Sequence, residues 1–182
     1  MLIGLISDTH ISSPEQNLPL DLIRIAFKGV ELILHAGDIW IPRVLDDLET
    51  IAPVLSAQGD DDMEEDIGQD KRVIQRQILC LEGLDIWVTH IRPRYGVINP
   101  AHQATSYATM YPRPAEGEPH KPPDIVVFGH SHKVELEDFK GTLMINPGSA
   151  TMPHYIPQPG TVGLLRLADG KVDSEIIQLA ST

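Results

Sequence analysis

The feature that most constrains this chain is the way its apolar runs end. Leu2–Ser7 leads into Asp8-Thr9-His10, Glu31–His35 into Ala36-Gly37-Asp38, and Pro53–Ala57 into Gln58-Gly59-Asp60. Further along, Leu84–Thr89 leads into His90, and Ile125–Phe128 into Gly129-His130-Ser131-His132. Short apolar runs bounded by polar residues and glycine read as buried strands. Five expected strands therefore finish in side chains that ligate hard or borderline divalent metals. In open α/β sheets, ligand sites gather beyond the carboxyl ends of the strands, so loops at one sheet edge can bring such groups together.

The segments between these runs set the topology. Ser13-Pro14 opens a stretch in which Leu18, Leu20, Ile23, Ile25 and Phe27 give a mixed helical pattern, stopped at Gly29. Ile41–Leu48 reads as a second helix, with Pro42 near its first turn. The first 60 residues thus alternate strand and helix, which predicts parallel strands joined by right-handed crossovers. Val73–Leu81 and Leu84–Thr89 flank Glu82-Gly83 and read as a hairpin. Val134–Glu137, Thr142–Ile145, Thr161–Leu167 and Lys171–Gln178 read as antiparallel strands, with Asp169-Gly170 as a tight turn. Residues 93–123 differ in character and hold seven of the chain's 15 prolines. Within them Ala101–Met110 is expected to be helical and Pro112–Pro123 an exposed loop. With 182 residues, no internal repeat and no linker, the chain is expected to form one domain over 1–182.

Singly, these polar residues are ordinary caps, turn formers or solvated acids. Together, Asp8, His10, Asp38, Asp60, His90, His130 and His132 are seven side chains that give eight contacts if one carboxylate bridges. That is enough for two metals with room for water and substrate. Two divalent ions roughly 3.5–4 Å apart suit phosphoester hydrolysis, because they clamp phosphoryl oxygens and activate a hydroxide. Mixed histidine and carboxylate ligands suit Mn, Fe or Zn better than an all-oxygen calcium site.

In their order, the motifs resemble those of the calcineurin-like metallophosphoesterase superfamily, in its small single-domain phosphodiesterase branch. The matching segments are Asp8-Thr-His10, Gly37-Asp38, Gly59-Asp60-Asp61-Asp62, Thr89-His90, Gly129-His130-Ser131-His132 and Asn146-Pro147-Gly148-Ser149. The resemblance implies an α/β fold, a four-layer αββα sandwich of two mixed β-sheets flanked by helices. It implies one ion held by Asp8, His10, Asp38 and His132, and another by Asp38, Asp60, His90 and His130, with Asp38 bridging. A hydroxide between the ions would attack phosphorus in line in a small phosphoester substrate. Manganese is the first expectation for both ions, with iron, zinc, nickel or magnesium as alternatives.

The chain departs from the family pattern in places. Asp60 stands where the family usually has Asn, which predicts tighter metal binding and a weaker pull on an anionic substrate. Asp61 stands where many relatives place a proton-donating His, which favours good leaving groups or slow turnover. Asp62 matches a family acid that orients neighbouring groups. Ile91-Arg92-Pro93-Arg94 follows His90 where glycine is frequent, so Arg92 and Arg94 are candidate substrate contacts, because arginine forks onto phosphate. Asp38, Asp60, Asp62 and Arg92 are the residues expected to act in catalysis. Asn146–Ser149 is expected to close the floor of the site as a turn. Pro153 is followed by His154 where relatives often carry Arg. His35 is expected to be structural, and His102 and His120 surface residues.

Charge and composition narrow the partners. The chain has 14 Lys+Arg against 26 Asp+Glu, a formal net charge of −12. Such a field repels a polynucleotide, so no long nucleic acid is expected. Seven acids fall within residues 60–70, and bound cations would offset part of that charge where a small phosphoester lands. No apolar run is long enough to span a bilayer, so no membrane is expected. The N-terminal run carries no basic residue before Asp8 and reads as a strand, not a signal peptide. Cys80 is alone, which points to a reducing, cytoplasmic setting. Homo-oligomerisation is left open. Two alternatives stand beside the hydrolase. One is a catalytically silent scaffold of the same fold; the family includes a retromer subunit that has lost a metal-site His, whereas all four histidine positions are kept here. The other is a nuclease acting on short nucleic acid. The 93–123 segment follows His90 directly and is expected to shape access to the site.

Overall fold

Strands β1 (Leu2–Ile6), β2 (Leu32–His35) and β3 (Val54–Ala57) alternate with helices α1 (Leu20–Ala26) and α2 (Arg43–Glu49), as the apolar runs predict. In the computed structural model, which describes residues 1–94, 98 and 122–180, these strands run parallel, with Ile3 opposite Leu32 and Ile33 opposite Val54. Two short elements follow, α3 (Glu64–Ile67) and β4 (Val73–Ile74). The remaining strands are β5 (Arg76–Leu81), β6 (Leu84–Thr89), β7 (Ile125–Val127), β8 (Val134–Phe139), β9 (Thr142–Pro147), β10 (Thr161–Ala168) and β11 (Lys171–Gln178). They form two mixed sheets, ordered β11-β10-β1-β2-β3-β4 and β5-β6-β7-β9-β8.

The period-two alternation of β1 assigns the layers. Ile3 and Leu5 join Leu32, Leu34, Ile86, Val88, Ile125, Val127 and Ile145 in the core between the sheets. Ile6 and Ile33 face the other way and pack with Ile23 and Phe27 near α1 and Val44, Leu45 and Leu48 of α2. Each such fully buried aliphatic contributes about 1.5–3 kcal/mol. Gly4 lies on the helix side, where an added Cβ would stand 2.8 Å from the Phe27 ring. The outer face of the second sheet carries its own apolar cluster of Val126, Phe128 and Met144 with Ile98. The result is the expected α/β architecture of two mixed sheets with helices on the outside.

One expectation is corrected and one element is added. The run Val73–Leu81 is not one strand. It breaks at Gln75, and β4 ends the first sheet while β5 begins the second. Buried Gln77 stitches this crossing, its Nε2 donating to Ser56 O at 2.8 Å and Arg72 O at 3.1 Å. Helix α3 lies in a stretch to which the sequence reading assigns no element. The expected helix Ala101–Met110 and nearly all of the loop Pro112–Pro123 lie outside the described residues, as do His102 and His120. Among the described residues, no helix is long and apolar enough to cross a membrane.

Candidate metal centre

The carboxyl ends of β1, β2, β3, β6 and β7 open onto one place. Asp8 and His10 follow β1, Asp38 follows β2, Asp60 follows β3, His90 follows β6, and His130 and His132 follow β7. The loops are laced by backbone bonds, Asp8 N to Gly37 O and His10 N to Asp38 O, both 3.0 Å. Five of the polar residues adopt left-handed backbone: Asp8 (φ 53), His10 (φ 44), Asp38 (φ 58), His130 (φ 69) and His132 (φ 55). Such conformations cost of order 1–2 kcal/mol each in non-glycine residues and persist only where the surroundings enforce them. Gly59 is part of that enforcement, since a Cβ there would lie 2.1 Å from Asp38 Oδ1.

The side chains form two groups that share Asp38. Asp8, His10, Asp38 and His132 make one, and Asp38, Asp60, His90 and His130 the other, each with its ligand atoms within 4.8 Å of one another. Asp38 Oδ2 lies 3.4 Å from His10 Nε2 and 3.2 Å from His90 Nε2. His10 Nε2 and His132 Nε2 are 3.0 Å apart, and Asp8 Oδ1 is 3.6 Å from His132 Nε2. Asp60 Oδ1 lies 2.8 Å from His90 Nε2 and 3.0 Å from His130 Nδ1.

The tautomers follow from the other ring nitrogens. His90 Nδ1 faces Ala36 O at 2.7 Å and His132 Nδ1 faces Met152 O at 2.8 Å. A carbonyl only accepts, so both Nδ1 atoms carry a hydrogen and both Nε2 atoms point inward, the atom a metal would take once any proton there is displaced. Asp8 Oδ2 and His90 Nε2 are buried with no well-directed hydrogen bond. Orphaned buried polar atoms are rare, and an unpartnered carboxylate oxygen converging with imidazole nitrogens fits a divalent cation.

The electrostatics agree. Burial foremost holds the Asp8 carboxyl above the usual carboxylate range. For Asp38 burial acts upward too, but the His90 contact and charge and the Asp61 N–H outweigh it and hold the carboxyl low. Burial alone would lower His90, yet Asp38 and Asp8 push it up to about 9. The pocket thus favours positive charge, and a cation must displace a proton there.

Neighbouring groups fix the loops. Asp62, buried, accepts four backbone N–H groups: Asp38 (3.1 Å) and Gly59 (2.7 Å) on Oδ2, and Ile39 (2.7 Å) and Trp40 (2.8 Å) on Oδ1. His35 Nδ1 accepts from Gly37 N at 3.1 Å, so its Nε2 donates to Thr9 Oγ1 at 3.2 Å, and Thr9 donates to Asp38 O at 3.3 Å. Burial, above all, pushes His35 down to about 3, which keeps this relay neutral. The expected turn over Asn146–Ser149 is corrected: Asn146 and Pro147 end β9, paired with β8, and the chain leaves the sheet at Gly148, with this strand end against the site. Ser149 Oγ donates to Asp8 O at 2.7 Å, and Asn146 Nδ2 donates to Gly129 O at 2.8 Å.

Arg92 is not left open toward the centre. Its guanidinium pairs with Glu135 and Glu137 of β8 and lies 5.4 Å from the Phe128 ring. The acids of an exposed edge strand, which the sequence reading did not connect to Arg92, account for this placement. The Asp61 carboxylate is exposed, 3.8 Å from His10 Nδ1. Two aromatic residues were missed. Tyr155 stacks on His132 with centroids 4.1 Å apart and planes at 24°, and Trp40 meets His10 edge-on at 5.6 Å. Their one sequence trace is proximity to motifs, Trp40 after Gly37-Asp38 and Tyr155 after Asn146–Ser149.

Fold and site together define a class: an α/β sandwich whose strand ends carry a paired histidine–carboxylate centre suited to divalent cations. The chain belongs to the calcineurin-like phosphoesterase superfamily, whose domain it matches over residues 1–170. It is 33% identical over 178 residues to a probable metallophosphoesterase of Methanothermobacter thermautotrophicus, covering 98% of this chain and 92% of that relative. It is 24% identical over 174 residues to a phosphodiesterase of Methanocaldococcus jannaschii, covering 91% and 92%. Among solved structures, zinc-complexed Vps29 of Entamoeba histolytica shares the fold at a TM-score of 0.65 and 21% identity, covering 99% and 100%. An archaeal phosphodiesterase does so at 0.65 and 22%, covering 97% and 100%. The family and its relatives support a metal-binding hydrolase.

Proposed function

We propose that this chain hydrolyses small phosphoesters, phosphodiesters foremost, in the cytoplasm, using two divalent ions. The observation that carries this reading is Asp38 Oδ2, set between His10 Nε2 at 3.4 Å and His90 Nε2 at 3.2 Å as the shared corner of two ligand groups. Asp8, His10, Asp38 and His132 would hold one ion, and Asp38, Asp60, His90 and His130 the other. Manganese is the favoured metal, with iron, zinc, nickel or magnesium as alternatives. Bound there, the ions would supply a hydroxide nucleophile at neutral pH and charge stabilisation for the phosphoryl oxygens.

The chain's own residues supply the rest. Ala36 O and Met152 O hold His90 and His132 in the ligating tautomer. Asp62 and the His35–Thr9 relay hold the Asp38 loop. Asp61 stands at the mouth in place of a histidine, so esters whose leaving groups depart without a proton are favoured.

The test is metal content of the purified protein, followed by hydrolysis of bis(4-nitrophenyl) phosphate with Mn²⁺, with and without chelator. Hydrolysis that chelator abolishes and metal restores is expected. Full metal occupancy with no turnover across a panel of mono- and diesters would overturn the enzyme and leave a scaffold of the same fold.

A further inference from the structure

Four rings run along one side of the candidate metal centre. Trp40 meets His10 at 5.6 Å, His10 and His132 lie 4.8 Å apart, and Tyr155 stacks on His132 at 4.1 Å and 24°. The row ends in the open, for Tyr155 is 62% exposed. Stacking on His132 occupies one face of its ring and leaves the other accessible.

The backbone places this ring at a cost. His154 and Tyr155 are consecutive left-handed residues, with φ 54 and 61, a conformation that bulky side chains resist. Little apolar burial offsets that strain, since the tyrosine stays exposed. Nor does His132 depend on the tyrosine for its tautomer, because Met152 O already fixes it at 2.8 Å. The ring's contacts are the stack on His132 and a 3.4 Å hydrogen bond from its hydroxyl to His130 O; strain retained beside a chemical centre for so little burial points to use of the group it displays. The Asp60 and Asp61 side chains, 49% and 54% exposed, bring negative charge to His130 and to the His10 end of the row, away from the Tyr155 ring stacked at its other end. A neutral planar group is therefore better accommodated on the tyrosine side.

We propose that the open face of Tyr155 is a stacking subsite for a planar aromatic group, an aryl ring or a nucleobase, carried by the phosphoester. The tyrosine is then a specificity-determining residue. The proposal rests on the reading of the centre as a phosphoester site.

The test is binding of non-hydrolysable phosphonates to the manganese-loaded protein by calorimetry, compared with turnover of bis(4-nitrophenyl) phosphate. Phenylphosphonate should bind about tenfold tighter than methylphosphonate, since stacking on an aromatic side chain contributes at that level. Tyr155→Phe should keep the preference, and Tyr155→Leu should abolish it while methylphosphonate binding stays unchanged. A second pair, the phosphonate analogues of adenosine 5′-phosphate and ribose 5-phosphate, separates the two sources; a preference in either pair supports the subsite and names its ring. Equal binding of ringed and ringless probes overturns the proposal. So does a Tyr155→Leu variant that keeps the preference or weakens both probes alike. Ring preference without turnover removes the hydrolase and leaves the subsite, whereas turnover without ring preference does the reverse.

Discussion

The Asp62 carboxylate accepts the backbone N–H of Asp38 through Oδ2 at 3.1 Å, and the same oxygen takes Gly59 N at 2.7 Å. One buried side chain thereby ties the loop after β2 to the loop after β3. With Ile39 N and Trp40 N on its other oxygen, it satisfies four amides that no strand serves. Asp62 therefore acts on the centre by shaping the backbone that carries Asp38 and Asp60.

Asp62→Asn keeps the shape but turns an amide NH₂ toward N–H donors. Leaving such buried groups unsatisfied costs about 2–3 kcal/mol. Thermal unfolding should show that loss, and calorimetric titration should show weaker divalent-ion binding although no proposed ligand has changed. Unaltered ion affinity at full occupancy would mean that Asp62 only stabilises the fold.

His35 predicts a pH dependence. Its folded value lies near 3, below the ordinary 6.5, and burial is the main cause. The unfolded chain then binds a proton that the folded chain refuses between about pH 6.5 and 3. Stability should be fully present above pH 6.5 and fall as pH drops through that window, at a limiting slope of about 1.4 kcal/mol per pH unit from this residue. The metal-free His35→Gln variant should unfold with a visibly shallower dependence between pH 6.5 and 4. Parallel curves for the two proteins would place the acid sensitivity elsewhere.

The sequence makes the centre legible because each strand that points at it ends in the residue concerned. β1, β2 and β3 stop within three residues of Asp8, Asp38 and Asp60, and burial of the runs sets both the strand and its end. The split of Val73–Leu81 is not legible, because alternation records burial on a sheet face and carries no mark of which sheet. Left-handed Trp40 (φ 78) and Tyr155 (φ 61) escape for another reason. Turn chemistry in a sequence is signalled by Gly, Asn and Asp, and a large aromatic forced into that region by its neighbours leaves no such trace. The Arg92 contacts are tertiary, joining residues more than forty positions apart.

Arg92 illustrates what those contacts change. With its guanidinium paired to Glu135 and Glu137, a phosphoester would have to displace two carboxylates to reach it. Arg92→Met should thus lower stability by about 1 kcal/mol, in the range of partly exposed ion pairs. It should leave KM for an anionic diester within about twofold, whereas loss of a direct phosphate fork would be far larger. A KM rise of tenfold or more with unchanged Tm would restore the arginine to the substrate.

Asp60 offers the sharpest separation of the two ligand groups. Its Oδ1 touches only the second, at 2.8 Å from His90 Nε2 and 3.0 Å from His130 Nδ1. Asp60→Asn keeps an oxygen of similar reach and removes one negative charge. The second ion should bind about tenfold more weakly, while the first, held by Asp8, His10, Asp38 and His132, should be nearly unaffected. An anionic diester would meet less repulsion, so its KM should fall several-fold at saturating metal. The carboxylate is half exposed, so that gain should shrink as salt is raised toward a Debye length of about 3 Å at 1 M. Two-step calorimetric titration with Mn²⁺ and kinetics across ionic strength read these effects separately. Weakening of both ions together would show that the carboxylate organises the whole centre, and an unchanged KM would show that its charge does not govern substrate approach.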